Sequence, residues 1–326
     1  MRLSGALVAA LLGIALASTA VAGNPEFQGA DPHALLIGDE LWVFPTGGPG
    51  GTWAADRFGA FSSRDLKTWR SRGVLLQRDN IRWIDDDGAR DHFLWAPGVA
   101  RRNGKWYLYY SVGPQNPTPS RIGVAVADRP QGPYRDSGRP LITGGNGFEA
   151  IDPMVFVDPR SGKTYLYAGG SAGATLRVWE LNPDMVGIAR EVKVDQPPMF
   201  TEGAFMHERG GLYYLSYSHG RWNGPDYSSH YATAPSPTGP WTYRGAILTS
   251  DARHQGPGHH SFVQDPAGDW LIVYHRWESS PADAPLKGER QVAIERVRYA
   301  ADGTILPIKM SDDADAPTLP IRATRH

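Results

Sequence analysis

The sequence predicts an all-β protein: a five-bladed β-propeller filling a single domain over residues 23–326. Three observations carry this. A phrase made of one polar or aromatic residue and a short apolar run recurs five times, starting at Asp31, Trp95, Asp152, Glu202 and His259. The starts lie 64, 57, 50 and 57 residues apart, a period that suits one blade of short strands. After each copy a turn-forming pair or cluster leads into an aromatic-rich strand, and no helical periodicity runs longer than about two turns.

The elements follow in chain order. Residues 1–22 read as an export signal. Arg2 supplies the positive start, Leu7 to Leu16 an apolar stretch, and Ala20-Val21-Ala22 a small-residue cleavage site. The apolar stretch is too short for a membrane span, so the mature chain is expected to be secreted or periplasmic. In the first repeat Asp31 to Ile37 and Leu41 to Phe44 flank the Gly38-Asp39 turn, and Phe58 to Ser62 leads on to Asp65 to Trp69. In the second, Asn103-Gly104 separates Trp95 to Val99 from Trp106 to Tyr110, and Ile122 to Ala127 follows. The third sets Asp152 to Val157 against Thr164 to Tyr167 across Asp158-Pro159. The fourth sets Glu202 to Met206 against Leu212 to Leu215 across Gly210-Gly211, with His230 to Ala234 outside. The fifth sets His259 to Val263 against Trp270 to Tyr274, with Ala293 to Val297 outside. Longer loops at 47–55, 78–93, 223–229 and 278–288 are expected to shape a binding face, with loop 78–93 closing one side. Beyond Pro307 the chain turns acidic and Pro-rich, as a fraying tail would.

Composition narrows the function. A net charge of −1 with no long single-sign run argues against nucleic acid or another polyanion as partner. The absence of cysteine excludes thiol catalysis, disulfides and Cys-ligated metals, and no His-Glu-x-x-His pattern appears. Eleven Trp and fourteen Tyr serve mainly blade packing, and a few of them suit stacking against sugar rings.

In a propeller, equivalent positions of successive blades face one axis. The repeat therefore predicts that Asp31, Asp152, Glu202 and His259 converge on one pocket. Hydrolysis of a glycosidic bond needs two carboxyl groups in opposite protonation states at one pH. Burial or a neighbouring negative charge raises the pKa of the donor, and a third acid can supply that charge. Asp158-Pro159 and Asp265-Pro266 also contain Asp, but they sit where hairpin turns are expected.

These residues bring the chain to a family. It resembles glycoside hydrolase family 43, the five-bladed propeller enzymes acting on arabinose- and xylose-containing polysaccharides. The resemblance runs from Ala30 to about Pro307 through Ala30-Asp31-Pro32, Ser62 to Trp69, Trp95-Ala96-Pro97, Ala150-Ile151-Asp152-Pro153, Thr201-Glu202-Gly203 and Gly258-His259-His260-Ser261. It implies an inverting mechanism with Asp31 as general base, Glu202 as general acid, and Asp152 raising and positioning Glu202. It implies an axial place for His259, either beside a calcium or other cation or hydrogen-bonded to water or substrate. No cofactor is required for the chemistry. Arg290 resembles a sugar-contacting arginine, and Trp53, Phe58 and Trp95 are candidate stacking residues. Two departures stand out. Gly203 is followed by Ala204 rather than Pro, and Gly98 occupies a place where relatives often carry an acid. The expected substrate is an oligo- or polysaccharide, cleaved by an exo-acting α-L-arabinofuranosidase working on arabinan or arabinoxylan side chains. The alternatives are β-xylosidase, endo-arabinanase and β-galactofuranosidase. A non-catalytic sugar-binding propeller would be expected to have lost at least one of the three acids.

Overall fold

The computed structural model describes residues 23–47, 53–312 and 319; the export signal expected at 1–22 lies outside the described residues. Among these residues strands form five antiparallel sheets, and helix is confined to two short 3-10 turns at Arg78–Asn80 and Pro281–Asp283. A short strand β1 (Phe27–Gln28) comes first. Blade I is β2 (Ala30–Ile37), β3 (Glu40–Thr46), β4 (Arg57–Ser63) and β5 (Arg70–Gln77). Blade II is β6 (Phe93–Arg102), β7 (Lys105–Gly113) and β8 (Arg121–Ala127), with β9 (Arg135–Asp136) and β10 (Ile142–Thr143) sharing its outer edge. Blade III is β11 (Met154–Val157), β12 (Thr164–Ala168), β13 (Arg177–Leu181) and β14 (Ile188–Val192). Blade IV is β15 (Glu202–Arg209), β16 (Leu212–His219), β17 (Ser228–Ala234) and β18 (Thr242–Leu248). Blade V is β19 (Gln255–Gln264), β20 (Trp270–Trp277) and β21 (Gln291–Arg296), and its outermost strand is β1.

The inner strands β2, β6, β11, β15 and β19 each pack against the inner strands on either side, so the ring closes on itself. The closure is made by the start of the chain. Phe27 pairs with Val292 and Gln28 with Gln291, and Asn24 exchanges two 2.8 Å hydrogen bonds with the Ile294 backbone. Turn chemistry fixes the hairpins as expected. Asn103-Gly104 is a two-residue link with φ of 51° and 75°, the paired positive values of a type I′ turn. The Asp158 carboxylate accepts the N–H groups of Arg160 and Ser161, and that of Asp265 accepts Ala267 and Asp269, so both are turn residues.

The hydrophobic core lies between blades rather than within one. Trp42, Phe44 and Phe58 of blade I meet Leu108 and Tyr110 of blade II. Val43 meets Val273 and Ile294 across the closing seam. Phe58 is fully buried in the first of these clusters, 5.9 Å ring-to-ring from Tyr110. It therefore packs the blades and does not face substrate, contrary to the stacking role expected for it. Gly98 marks a close approach of blades II and III. A Cβ there would fall 2.1 Å from the Pro153 carbonyl oxygen, so the position has no room for the acid that relatives often carry. The tail also differs from expectation as far as residue 312. Ile308 N–H donates to Ile247 O, Met310 is buried, and Ser311 N–H donates to Glu295.

Candidate active site

The site lies at the opening ends of the inner strands, where every blade repeats one backbone device. Asp31, Ala96, Asp152, Gly203 and His259 all have positive φ, between 41° and 62°. In the four blades where pairing continues on both sides, two residues bulge out at that point. Ala30 pairs with Thr46 but His33 with Phe44, and Trp95, Glu202 and Gly258 start the same slip. The bulge turns the strand so that a side chain can leave it toward the axis. It also corrects the equivalence read from the sequence. Asp31, Asp152 and His259 occupy the left-handed position, whereas Trp95 and Glu202 stand one residue earlier, level with Ala30 and Gly258.

The backbone N–H at the left-handed position is held by the preceding blade. Ala96 N–H donates to Thr46 Oγ1 (2.7 Å), Asp152 to Ser111 Oγ (2.9 Å), His259 to Ser218 Oγ (2.8 Å) and Asp31 to His275 Nδ1 (3.1 Å). Those four acceptors sit on second strands, opposite Ala30, Trp95, Glu202 and Gly258. Blade III breaks the rule. Gly169, whose N–H donates to Ile151 O, has no side chain to offer, and a Cβ there would strike Thr175 O at 2.0 Å. Asp152 Oδ2 itself takes the Gly203 N–H at 3.0 Å. A buried N–H left unpaired costs about 1–3 kcal/mol, so this carboxylate is fixed against the residue that follows Glu202.

Two walls of the pocket differ in charge. On one, Arg290 Nη1 donates to Asp31 Oδ1 at 2.9 Å and Thr46 Oγ1 donates to Asp31 Oδ2 at 2.6 Å. The Nδ1 atoms of His259 and His275 each lie 3.4 Å from Asp31 Oδ1. Burial pushes the Asp31 carboxyl up, but Arg290, the two imidazoles and the Thr46 hydroxyl outweigh it and hold the group far below the usual carboxylate range. On the other wall, Glu202 Oε1 accepts the Tyr227 hydroxyl at 2.8 Å and Oε2 accepts Ser171 Oγ. Burial raises Glu202, the two hydroxyls oppose it, and the charges of Asp31 and Glu149 add to the rise. Burial, then Glu202, Asp31 and Glu149, push Asp152 well above its ordinary value. His259 Nδ1 stands between the walls, 3.5 Å from Asp152 Oδ2, and burial lowers its pKa so that it is neutral near pH 7.

Asp31, Asp152, Glu202, His259 and Arg290 line a cavity of about 180 Å³ together with Trp53, Trp95, Glu149, Ile151, Ser171 and Trp222. Trp222 stacks on Trp53 (5.3 Å, 17°), Trp53 packs on Trp95 at 4.4 Å, and Arg290 lies over the Trp222 ring. Loops of blades I and IV thus meet across the mouth. The 78–93 loop is absent from the lining. Trp83 is buried with Nε1 on Asp136, and Asp87 pairs with Arg121. Of the residues expected from sequence, Asp31, Asp152, Glu202, His259, Arg290, Trp53 and Trp95 come together here and Phe58 does not. Glu149, Ser171, Trp222, Thr46, Tyr227 and His275 were not anticipated. Their contacts join residues far apart in sequence, several across two blades, and only the Glu149 position, three before Asp152, gave a local signal.

The donor set of the axis is poor for calcium, which takes oxygen ligands. Around His259 stand further imidazoles, and His33, His260 and His275 all hold nitrogen atoms without partners among the described residues. No cage of three or more His, Asp or Glu exists among the described residues.

Comparison with known proteins matches this architecture. The family described as Glycosyl hydrolases family 43 matches residues 25–305. The β-D-galactofuranosidase xynD of Aspergillus niger is 36% identical over 316 residues, covering 90% of this chain and 87% of its own. The solved α-L-arabinofuranosidase of Clostridium thermocellum is 31% identical with a TM-score of 0.69, covering 86% of this chain and 94% of that one. A β-xylosidase/α-arabinofuranosidase from a compost metagenome, solved with xylotriose, is 28% identical with a TM-score of 0.69, covering 86% and 94%.

Proposed function

The chain belongs to glycosyl hydrolases family 43, a family of glycosidases cleaving O-glycosyl bonds, and from that membership we propose an inverting, exo-acting α-L-arabinofuranosidase. The observation that carries this reading is the size of the axial pocket. About 180 Å³, edged by the stacked Trp53 and Trp222, suits one terminal sugar.

The chemistry follows from the two walls. Asp31, ionised at working pH, accepts a proton from water as the water oxygen attacks the anomeric carbon. Glu202, whose pKa burial and neighbouring charge raise, gives its proton to the leaving glycosidic oxygen. Asp152 holds the Gly203 backbone beside Glu202, and repulsion between the two buried carboxyls favours a proton on the pair. No step passes through a cation. The segment 1–22 supports export, and N-terminal sequencing of secreted protein, expected to begin at Gly23, checks it.

A second reading is favoured by the 36% relative: a terminal β-D-galactofuranoside. The two sugars share ring configuration and differ in the exocyclic arm. Hydrolysis of aryl α-L-arabinofuranoside, β-D-galactofuranoside and β-D-xyloside, with the first-formed anomer followed by proton NMR, decides among them. Fastest turnover of the arabinofuranoside with the β-anomer appearing first is expected. Retained configuration would overturn the mechanism, and a faster xyloside would overturn the furanose assignment.

A further inference from the structure

The cavity contains a fourth carboxylate. Glu149 is buried and lines the same space as Asp152 and Glu202. Its Oε2 accepts the Ala172 N–H at 2.8 Å. Its Oε1 has no protein partner among the described residues and is not among the polar atoms sealed from solvent. Among the described residues no Lys, Arg or His pairs with it, and the pocket's arginine is engaged with Asp31. A buried carboxylate is costly unless hydrogen bonds satisfy it. One oxygen of Glu149 is satisfied by the fold, and the other gains its donor from whatever fills the pocket.

The same turn sets Glu149 and the acid side by side. Ser171 Oγ donates to Glu202 Oε2, and the next residue, Ala172, donates to Glu149 Oε2. The free oxygen is therefore held in fixed relation to the proton donor. A terminal sugar bound for hydrolysis brings its ring hydroxyls to this wall.

We propose that Glu149 is a specificity-determining residue whose Oε1 accepts a hydrogen bond from one hydroxyl of the terminal sugar. This rests on the single-sugar pocket argued above. Glu149 moves no proton in the reaction; it selects glycosides that carry a hydroxyl at one position.

The test uses Glu149→Gln, which keeps an oxygen for the Ala172 N–H and replaces the free charged oxygen with an amide. A hydrogen bond to a charged group is worth about a 10- to 100-fold change, so kcat/KM on the parent aryl glycoside falls by that factor. A monodeoxy series is then compared, built on whichever parent turns over fastest. At one position the wild type loses a similar factor and Glu149→Gln loses nothing more; at every other position the losses multiply. Multiplying losses at all positions would reduce Glu149 to an anchor for the 171–172 turn and overturn the proposal. An unchanged kcat/KM in Glu149→Gln would overturn it too. If that variant fails to fold, Glu149→Asp, which withdraws the oxygen by one methylene, is read for the same non-additivity. A xyloside as fastest parent removes the furanose assignment and leaves the Glu149 readout intact.

Discussion

The two walls of the pocket carry the same functional group and treat it in opposite ways. The Asp31 wall supplies an arginine, two imidazoles and a hydroxyl to a single carboxylate. The facing wall gathers Glu149, Asp152 and Glu202, and no lysine or arginine pairs with any of them among the described residues; the His259 imidazole is shared between the walls. The first arrangement fixes a negative charge; the second forces protons to be shared. Base and acid are thus distinguished by their neighbours rather than by being Asp or Glu.

The largest test of that contrast is Asp31→Ala. Removing the base should cost about 10⁴-fold in kcat while calorimetric binding of the product sugar stays within a few fold. Near-normal turnover would move the base elsewhere. Glu202→Ala comes next, with losses of about 10²–10⁴ on a saccharide leaving group and far smaller ones on an activated aryl glycoside. Equal losses on both substrates would contradict proton donation. Arg290→Met sharpens the other side. Without the guanidinium, burial acts on Asp31 with less opposition and its pKa rises. Activity requires the ionised form, so the acid limb of the kcat/KM profile should move to higher pH, by about one unit or more. A static acid limb would detach Arg290 from the base. The smallest shift is expected of Asp152→Asn. Asp152 and Glu202 disfavour each other's charged form, so removing one carboxyl of the pair eases ionisation of the other; the alkaline limb should move to lower pH, and an unmoved limb would show that Asp152 acts by hydrogen bonding alone.

Most of the architecture was legible because hairpins have local signatures. Asn103-Gly104 and Gly210-Gly211 mark their turns, and the five phrases mark their inner strands. Blade III's outer strands, Arg177–Leu181 and Ile188–Val192, were not read, since charged residues such as Glu180 and Arg190 pair across their exposed face and mask the apolar alternation. The one-residue offset at Trp95 and Glu202 escaped because aligning phrases by their polar heads ignores backbone conformation. The X-Pro match of Ala96-Pro97 with Asp31-Pro32 and Asp152-Pro153, and the glycine at 203, held that information. Trp53 and Arg290 were named as candidates, but not their meeting at Trp222, because residues brought together by the ring leave no local pattern. Phe58 failed for the opposite reason: an aromatic near the right loop in sequence is, in space, part of the seam between blades I and II.

The closing of the ring by Phe27 and Gln28 has a bearing on biosynthesis. Asp31 emerges early, but His259, His275 and Arg290, which hold it, belong to the last blade and appear more than 220 residues later. A nascent or truncated chain that stops short of residue 290 can already contain the acid and its turn, yet it has no finished base. The surroundings of Asp31 are therefore complete only once the last blade has folded against the first.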